Sequence, residues 1–87
     1  MAGYKLSIKA SAIKEIEALG TKADRQRVVQ RIQALAVDPR ATGAEKLAGY
    51  ADRYRVRQGQ NRVIYLIDDR LHEVTIFKVG HRKDVYR

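Results

Sequence analysis

The stretch RYRVRQGQNRVIYLIDDRLHEVTIFKV, residues 53–79, decides the fold. Its first part alternates Tyr54 and Val56 with Arg53, Arg55 and Arg57, which predicts a strand with one apolar face and one strongly basic face. Gly59 and Asn61 then mark a hairpin turn over residues 58–61. In residues 62–67, Val63, Tyr65 and Ile67 fall on one face and Ile64 and Leu66 on the other, which suits a central strand. Asp68, Asp69 and Arg70 supply a second turn, and residues 73–79 are again apolar on both faces through Val74, Ile76, Phe77 and Val79. Two hairpins in succession make a three-strand antiparallel meander.

Upstream, residues 40–49 are rich in turn formers, with Leu47 as their one large apolar anchor, and read as a loop. Before them, Val28, Ile32, Leu35 and Ala36 recur at helical spacing, with Arg25, Arg27 and Arg31 left to largely solvated directions. A cap at Thr21 and a stop at Pro39 predict a helix over 22–37. A shorter helix over 12–19 carries Ile13, Ile16 and Leu19, with Ser11 as N-cap and Gly20 as the left-handed terminator. The turn between the two is so short that they fold back as an antiparallel hairpin. Tyr4, Leu6 and Ile8 alternate with Lys5, Ser7 and Lys9 in an opening strand. Residues 80–87 are too polar for a core strand and dense in reactive groups. The expectation is one domain, 1–87, of the α+β class: a two-layer sandwich in which a strand, a helix hairpin and a three-strand meander share one sheet.

With 87 residues there is no room for a two-domain enzyme, and the absence of cysteine excludes a disulfide scaffold, a thiol nucleophile and a thiolate zinc site. The sequence shows no apolar run of membrane-spanning length and no hydrophobic leader, so a soluble, cytoplasmic protein without a membrane partner is expected. A formal charge of +8 points to an acidic partner. Residues 53–62 hold four arginines and no acidic residue, whereas residues 1–52 hold nine basic and six acidic ones. One reading is a strand edge guarded from aggregation by charge. The other is a phosphate cradle, since arginine offers a planar fork of donors matched to phosphate oxygens. Arg53, Arg55 and Arg57 would stand about 6–7 Å apart, twice the strand rise, a spacing that suits successive phosphates of a single nucleic-acid strand.

His81 follows a glycine in the polar ending, and an imidazole of ordinary pKa near ~6.5 exchanges protons at neutral pH. His72 sits beside a turn without polar company and is read as an ordinary surface residue. The two are nine positions apart with no carboxylate at a ligand spacing, so no metal is expected, and no cofactor motif is present. Tyr86 could donate a phenolic proton or stack on a base. Tyr54 and Tyr65 fall on inward strand positions and read as core.

Tyr54-Arg55-Val56-Arg57, Asn61-Arg62-Val63-Ile64-Tyr65 and Val79-Gly80-His81-Arg82 with Val85-Tyr86 resemble the RelE/ParE superfamily of bacterial and archaeal toxins. The resemblance runs from the opening strand through Asp38-Pro39-Arg40 and Lys46-Leu47 to Tyr86, and the Arg-Val-Ile-Tyr strand with the Val-Gly-His-Arg ending resembles the RelE branch. It implies a toxin of a type II toxin-antitoxin system that cuts messenger RNA in the ribosomal A site without a metal. The implied partners are a cognate antitoxin, the ribosome and mRNA, with DNA reached only through the antitoxin.

By the same resemblance Arg55 and Arg57 hold substrate and Arg62, Arg82 and Tyr86 do the chemistry, to which the residues themselves add Arg53 from its place on the basic strand face and His81 as a candidate for proton transfer. Arg62 would stabilise the transition state, and His81, Arg82 and Tyr86 share the proton-transfer and leaving-group roles. Arginines stand on the first of these strands where the branch commonly has lysines, and arginine is a poor general base. The alternative within the superfamily is a ParE-like toxin that binds and inhibits DNA gyrase without cutting RNA. A third is a degenerate member that only pairs with an antitoxin.

Overall fold

The computed structural model describes residues 3–81. At its centre is β4 (Asn61–Asp68), paired antiparallel with β3 (Arg53–Gln58) on one side and β5 (Glu73–His81) on the other. Gly59 adopts φ +61° in the tight β3–β4 turn, a backbone conformation that glycine enters without strain. The opening strand β1 (Lys5–Ile8) pairs parallel with β5, and a two-residue strand β2 (Glu45–Lys46) pairs antiparallel with β3. The sheet order is therefore β1-β5-β4-β3-β2. Because β1 is parallel to β5, the chain between β1 and the meander crosses one face of the sheet, and the helices α1 (Ala10–Glu17) and α2 (Lys22–Val37) lie along that crossing.

The core forms between this helix pair and one sheet face. Ala12 and Ile16 of α1 and Val28, Ile32 and Leu35 of α2 meet Val56, Val63, Tyr65, Ile67, Val74, Ile76 and Val79 from the strands. Tyr65 is completely buried, and its hydroxyl donates to the Pro39 carbonyl at 2.7 Å, which fastens the end of α2 to the central strand. Burial pushes that phenol up to about 12. Thr21 caps α2 as expected, its Oγ1 accepting from the Asp24 N–H at 3.0 Å. A second clasp lies beside the first, at the exit of α2. Arg40 donates from both terminal nitrogens to Asp69 at 3.0 and 2.7 Å and from Nε to the Tyr54 hydroxyl at 3.2 Å, while the Tyr4 hydroxyl donates to Asp69 at 2.8 Å.

Five local expectations are corrected. The first helix begins two residues earlier than its pattern implies, so Ser11 lies inside it and Lys9 is an N-cap without a side-chain bond. Gly20 is not its left-handed terminator. The helix end is closed by the Ala18 N–H on helix carbonyls and by the Leu19 N–H on Ile16, and Arg25, expected in solvent, is half-buried and donates to the Leu19 carbonyl at 2.9 Å. The loop over 40–49 contains β2, because Glu45 and Lys46 find open backbone partners on the edge of β3 opposite Arg55 and Tyr54. Finally, β5 runs through Gly80 to His81, carried past its apolar part by backbone pairing with Arg62 and Asn61.

Candidate nucleic-acid interface

The sheet face opposite the helices carries the arginines. Strand alternation turns Tyr54 and Val56 into the core and leaves Arg53, Arg55 and Arg57 on the open face. The register then sets three rows across the sheet: Arg57–Arg62–Gly80, Arg55–Ile64–Lys78 and Arg53–Leu66–Thr75. Arg57 and Arg62 are directly opposed on neighbouring strands, where paired Cα atoms stand ~4.5–5.5 Å apart. On the other flank of Arg62 the opposed residue is Gly80.

The three arginines of β3 do not form a uniform ladder. Arg55 donates from Nε and Nη2 to the two carboxylate oxygens of Glu45, at 3.3 and 3.4 Å. The Arg55 guanidinium holds the Glu45 carboxyl below its usual range, and the charges of Arg57 and Arg62 push it the same way. Glu45 thus sits in the joint field of three guanidinium groups, so the basic stretch is locally neutralised by a residue upstream of it that its own composition does not reveal. Arg53 is engaged otherwise: its Cζ lies 4.4 Å from the Tyr50 ring centroid and 4.5 Å from that of Phe77. Arg57 is exposed and Arg62 half-buried.

Two cations of this face escaped the sequence reading. Residues 74–79 read as apolar on both faces, but the β4–β5 register shifts at Ile64/Tyr65, and the extra residue on β5 is Phe77. Lys78 is thereby opposed to Ile64 beside the arginines, and Lys9 reaches Phe77, with Nζ 4.4 Å from the ring centroid. No periodicity in the sequence announces the bulge that arranges them.

His81 is the last described residue, opposed to buried Asn61. Alternation puts it with Val79 rather than with Gly80. It lines a cleft of about 380 Å³ with Glu15, Leu19, Gly20 and Asn61, on the α1 side of the strand. In that cleft a Glu15 carboxylate oxygen accepts the Val79 N–H at 2.9 Å, securing β5 two residues before the histidine. The structure therefore brings Arg55, Arg57 and Arg62 together and does not bring His81 onto their face. Arg82 and Tyr86 lie outside the described residues. His72 stacks on Tyr4 with ring centroids 5.2 Å apart, away from the arginines.

Comparison with known proteins now adds to this geometry. No curated protein sequence matches the chain. Residues 6–86 match the family model described as the ParE toxin of the type II toxin-antitoxin system parDE. The solved structure of the RelE-RelB complex from Pyrococcus horikoshii is similar, at 28% identity over 98% of this chain and all (100%) of that one, with a TM-score of 0.81. The RelBE2 complex of Mycobacterium tuberculosis shares 26% identity over 92% of this chain and 99% of that one, with a TM-score of 0.79. A mutant of E. coli RelE bound to a RelB peptide shares 30% identity over 99% and 92% of the two chains, with a TM-score of 0.70. The chain belongs to the family of ParE toxins of type II toxin-antitoxin systems, within the RelE/ParE superfamily, and its fold places it with the RelE-like branch.

Proposed function

We propose that this toxin is a ribosome-dependent endoribonuclease that cuts mRNA in the A site. The supporting observation is the opposed pair Arg57 and Arg62 on an open sheet face, flanked by Arg55 and Lys78. RNA carries its own nucleophile, so the protein has only to hold ribose and phosphate in line, neutralise growing charge and move protons. The 2′-oxygen attacks the adjacent phosphorus as its proton leaves, the bond from phosphorus to the 5′-oxygen breaks, and that oxygen takes up a proton. The products are a 2′,3′-cyclic phosphate and a 5′-hydroxyl, with the nucleophile supplied by substrate and no metal or cofactor asked of the protein. Arg55 and Arg57 clamp the phosphate, Arg53 contributes to substrate binding, and Arg62 meets the charge that develops in the transition state.

Proton transfer falls to one of His81, Arg82 and Tyr86. The ribosome supplies the distortion of mRNA that so small a catalyst cannot impose. A cognate antitoxin, as in the RelE-RelB complexes of the relatives, neutralises the toxin by laying an acidic segment over the basic face.

A second reading is favoured by one observation. His81 faces the α1 cleft and not the arginines, an arrangement that a gyrase-binding toxin without nuclease chemistry tolerates equally well. Purified toxin added to programmed ribosomes, with free mRNA and a gyrase supercoiling reaction alongside, separates the two. New RNA ends within the A-site codon support the nuclease. Intact mRNA with blocked supercoiling overturns it.

A further inference from the structure

At Arg53 the open face carries an aromatic and cationic pile beyond the phosphate clamp of Arg55, Arg57 and Arg62. The Arg53 guanidinium lies against both Tyr50 and Phe77, at 4.4 and 4.5 Å from the ring centroids, and Lys9 lies 4.4 Å from the centre of Phe77. Phe77 reaches this face only because of the bulge in β5. Tyr50 is placed by a turn in which Gly49 adopts φ +85° and the Tyr50 N–H meets the Leu47 carbonyl at 3.4 Å. Despite these contacts Tyr50 keeps 49% of its surface exposed, in contrast to Tyr65 at 0%. The structure thus holds an aromatic ring in a fixed pose, backed by a cation, with much of its surface open to solvent.

We propose that Tyr50, backed by Arg53 and Phe77, is a stacking subsite for an unpaired nucleobase of the RNA strand whose phosphate Arg57 and Arg62 grip. The subsite rests on the nucleic-acid reading of this face and adds a second contact to it. From Arg53 to Arg57 is four strand steps, about 13 Å at ~3.3 Å per residue, a reach of about two nucleotides along an extended strand. Aromatic rings accept any base by its π face, and a guanidinium stacked behind the ring reinforces the contact. The pile itself presents ring faces and cations to an approaching strand.

The test uses the full chain without antitoxin and short single-stranded RNAs methylated at every 2′-oxygen to prevent cutting. Each carries 2-aminopurine at one position, a base whose fluorescence falls when it stacks. The wild-type protein is expected to quench the probe at one position. Tyr50→Ala abolishes that quenching and weakens binding about 5- to 100-fold, the range for loss of one base–aromatic stack, whereas Tyr50→Phe retains both. Wild-type binding and quenching in Tyr50→Ala overturns the subsite while leaving the phosphate clamp intact. If Tyr50→Ala weakens capture of the acidic antitoxin and leaves RNA quenching unchanged, the ring belongs to the antitoxin interface and the subsite is likewise overturned. If the wild-type chain binds none of these RNAs and Arg62→Ala makes no difference, the nucleic-acid reading itself fails and takes the subsite with it.

Discussion

Arg53, Arg55 and Arg57 share one strand face, yet each meets a different environment. Arg53 stacks on rings, Arg55 is forked to Glu45, and Arg57 stands open beside Arg62. Alternation alone places all three on the basic face, which is why Arg55, Arg57 and Arg62 were legible as a cluster. Glu45 and Lys78 were not, because one arrives on a two-residue strand without apolar pattern and the other is set by a bulge. Glu45 occupies with its carboxylate the donors that a phosphate would take. Removing that carboxylate with Glu45→Gln is expected to tighten RNA binding roughly 1.5- to 5-fold, the worth of an exposed ion pair. A fluorescence titration at fixed salt checks this, and a weaker-binding Glu45→Gln would show the carboxylate to be orienting Arg55 for substrate rather than competing with it.

At the scale of elements, the meander and the long helix follow from patterns that packing respects. Val28, Ile32 and Leu35 are buried as their spacing implies, and Val63, Tyr65 and Ile67 of β4 are buried beneath the helices, whereas Arg62 and Leu66 on its other face are only half-buried. The boundaries that escaped the sequence are set by tertiary partners: Arg25 closing the end of α1, β3 recruiting β2, and β4 drawing Gly80 and His81 into β5. The last of these also decides the histidine's face. The imidazole, exposed as its sequence context implies, is placed by strand alternation on the side of the cleft lined by Glu15 and Asn61. The join between layers depends on Tyr65, whose hydroxyl satisfies the Pro39 carbonyl. Tyr65→Phe keeps the ring but leaves that buried carbonyl without its donor, a loss of about 1–3 kcal/mol. Urea unfolding checks it, and an unchanged midpoint would mean that the carbonyl finds another donor.

The molecule as a whole carries a charge of +8, and among the described residues the carboxylates of Asp69 and Glu45 are committed to pairs with arginines. Asp69 ties the chain near Tyr4, the exit of α2 at Arg40 and the β4–β5 turn into one clasp. Hydrogen bonds from Arg40 and then Tyr4 hold its carboxyl below the ordinary value of 3.8. A carboxyl depressed by folding stabilises the folded state fully above its unfolded value and loses that contribution as pH falls through the lowered folded value. Stability is therefore expected to decline below about pH 4, the ordinary carboxylate range, and Asp69→Asn, less stable at neutral pH, should show a shallower acid limb in thermal melts. Parallel acid limbs would place the acid sensitivity elsewhere.

The same excess of positive charge gathers on the open face, around Arg62. Its central role is tested most directly by the rate of A-site mRNA cleavage on programmed ribosomes by wild-type toxin and Arg62→Ala, with the new ends mapped and analysed for cyclic phosphate. The prediction is cleavage within the A-site codon, a 2′,3′-cyclic phosphate end, and a fall of at least ~10²-fold in the variant, as when one charge-stabilising donor is removed from a transition state. Equal cleavage by the two proteins, or none by either while gyrase supercoiling is blocked, would contradict it.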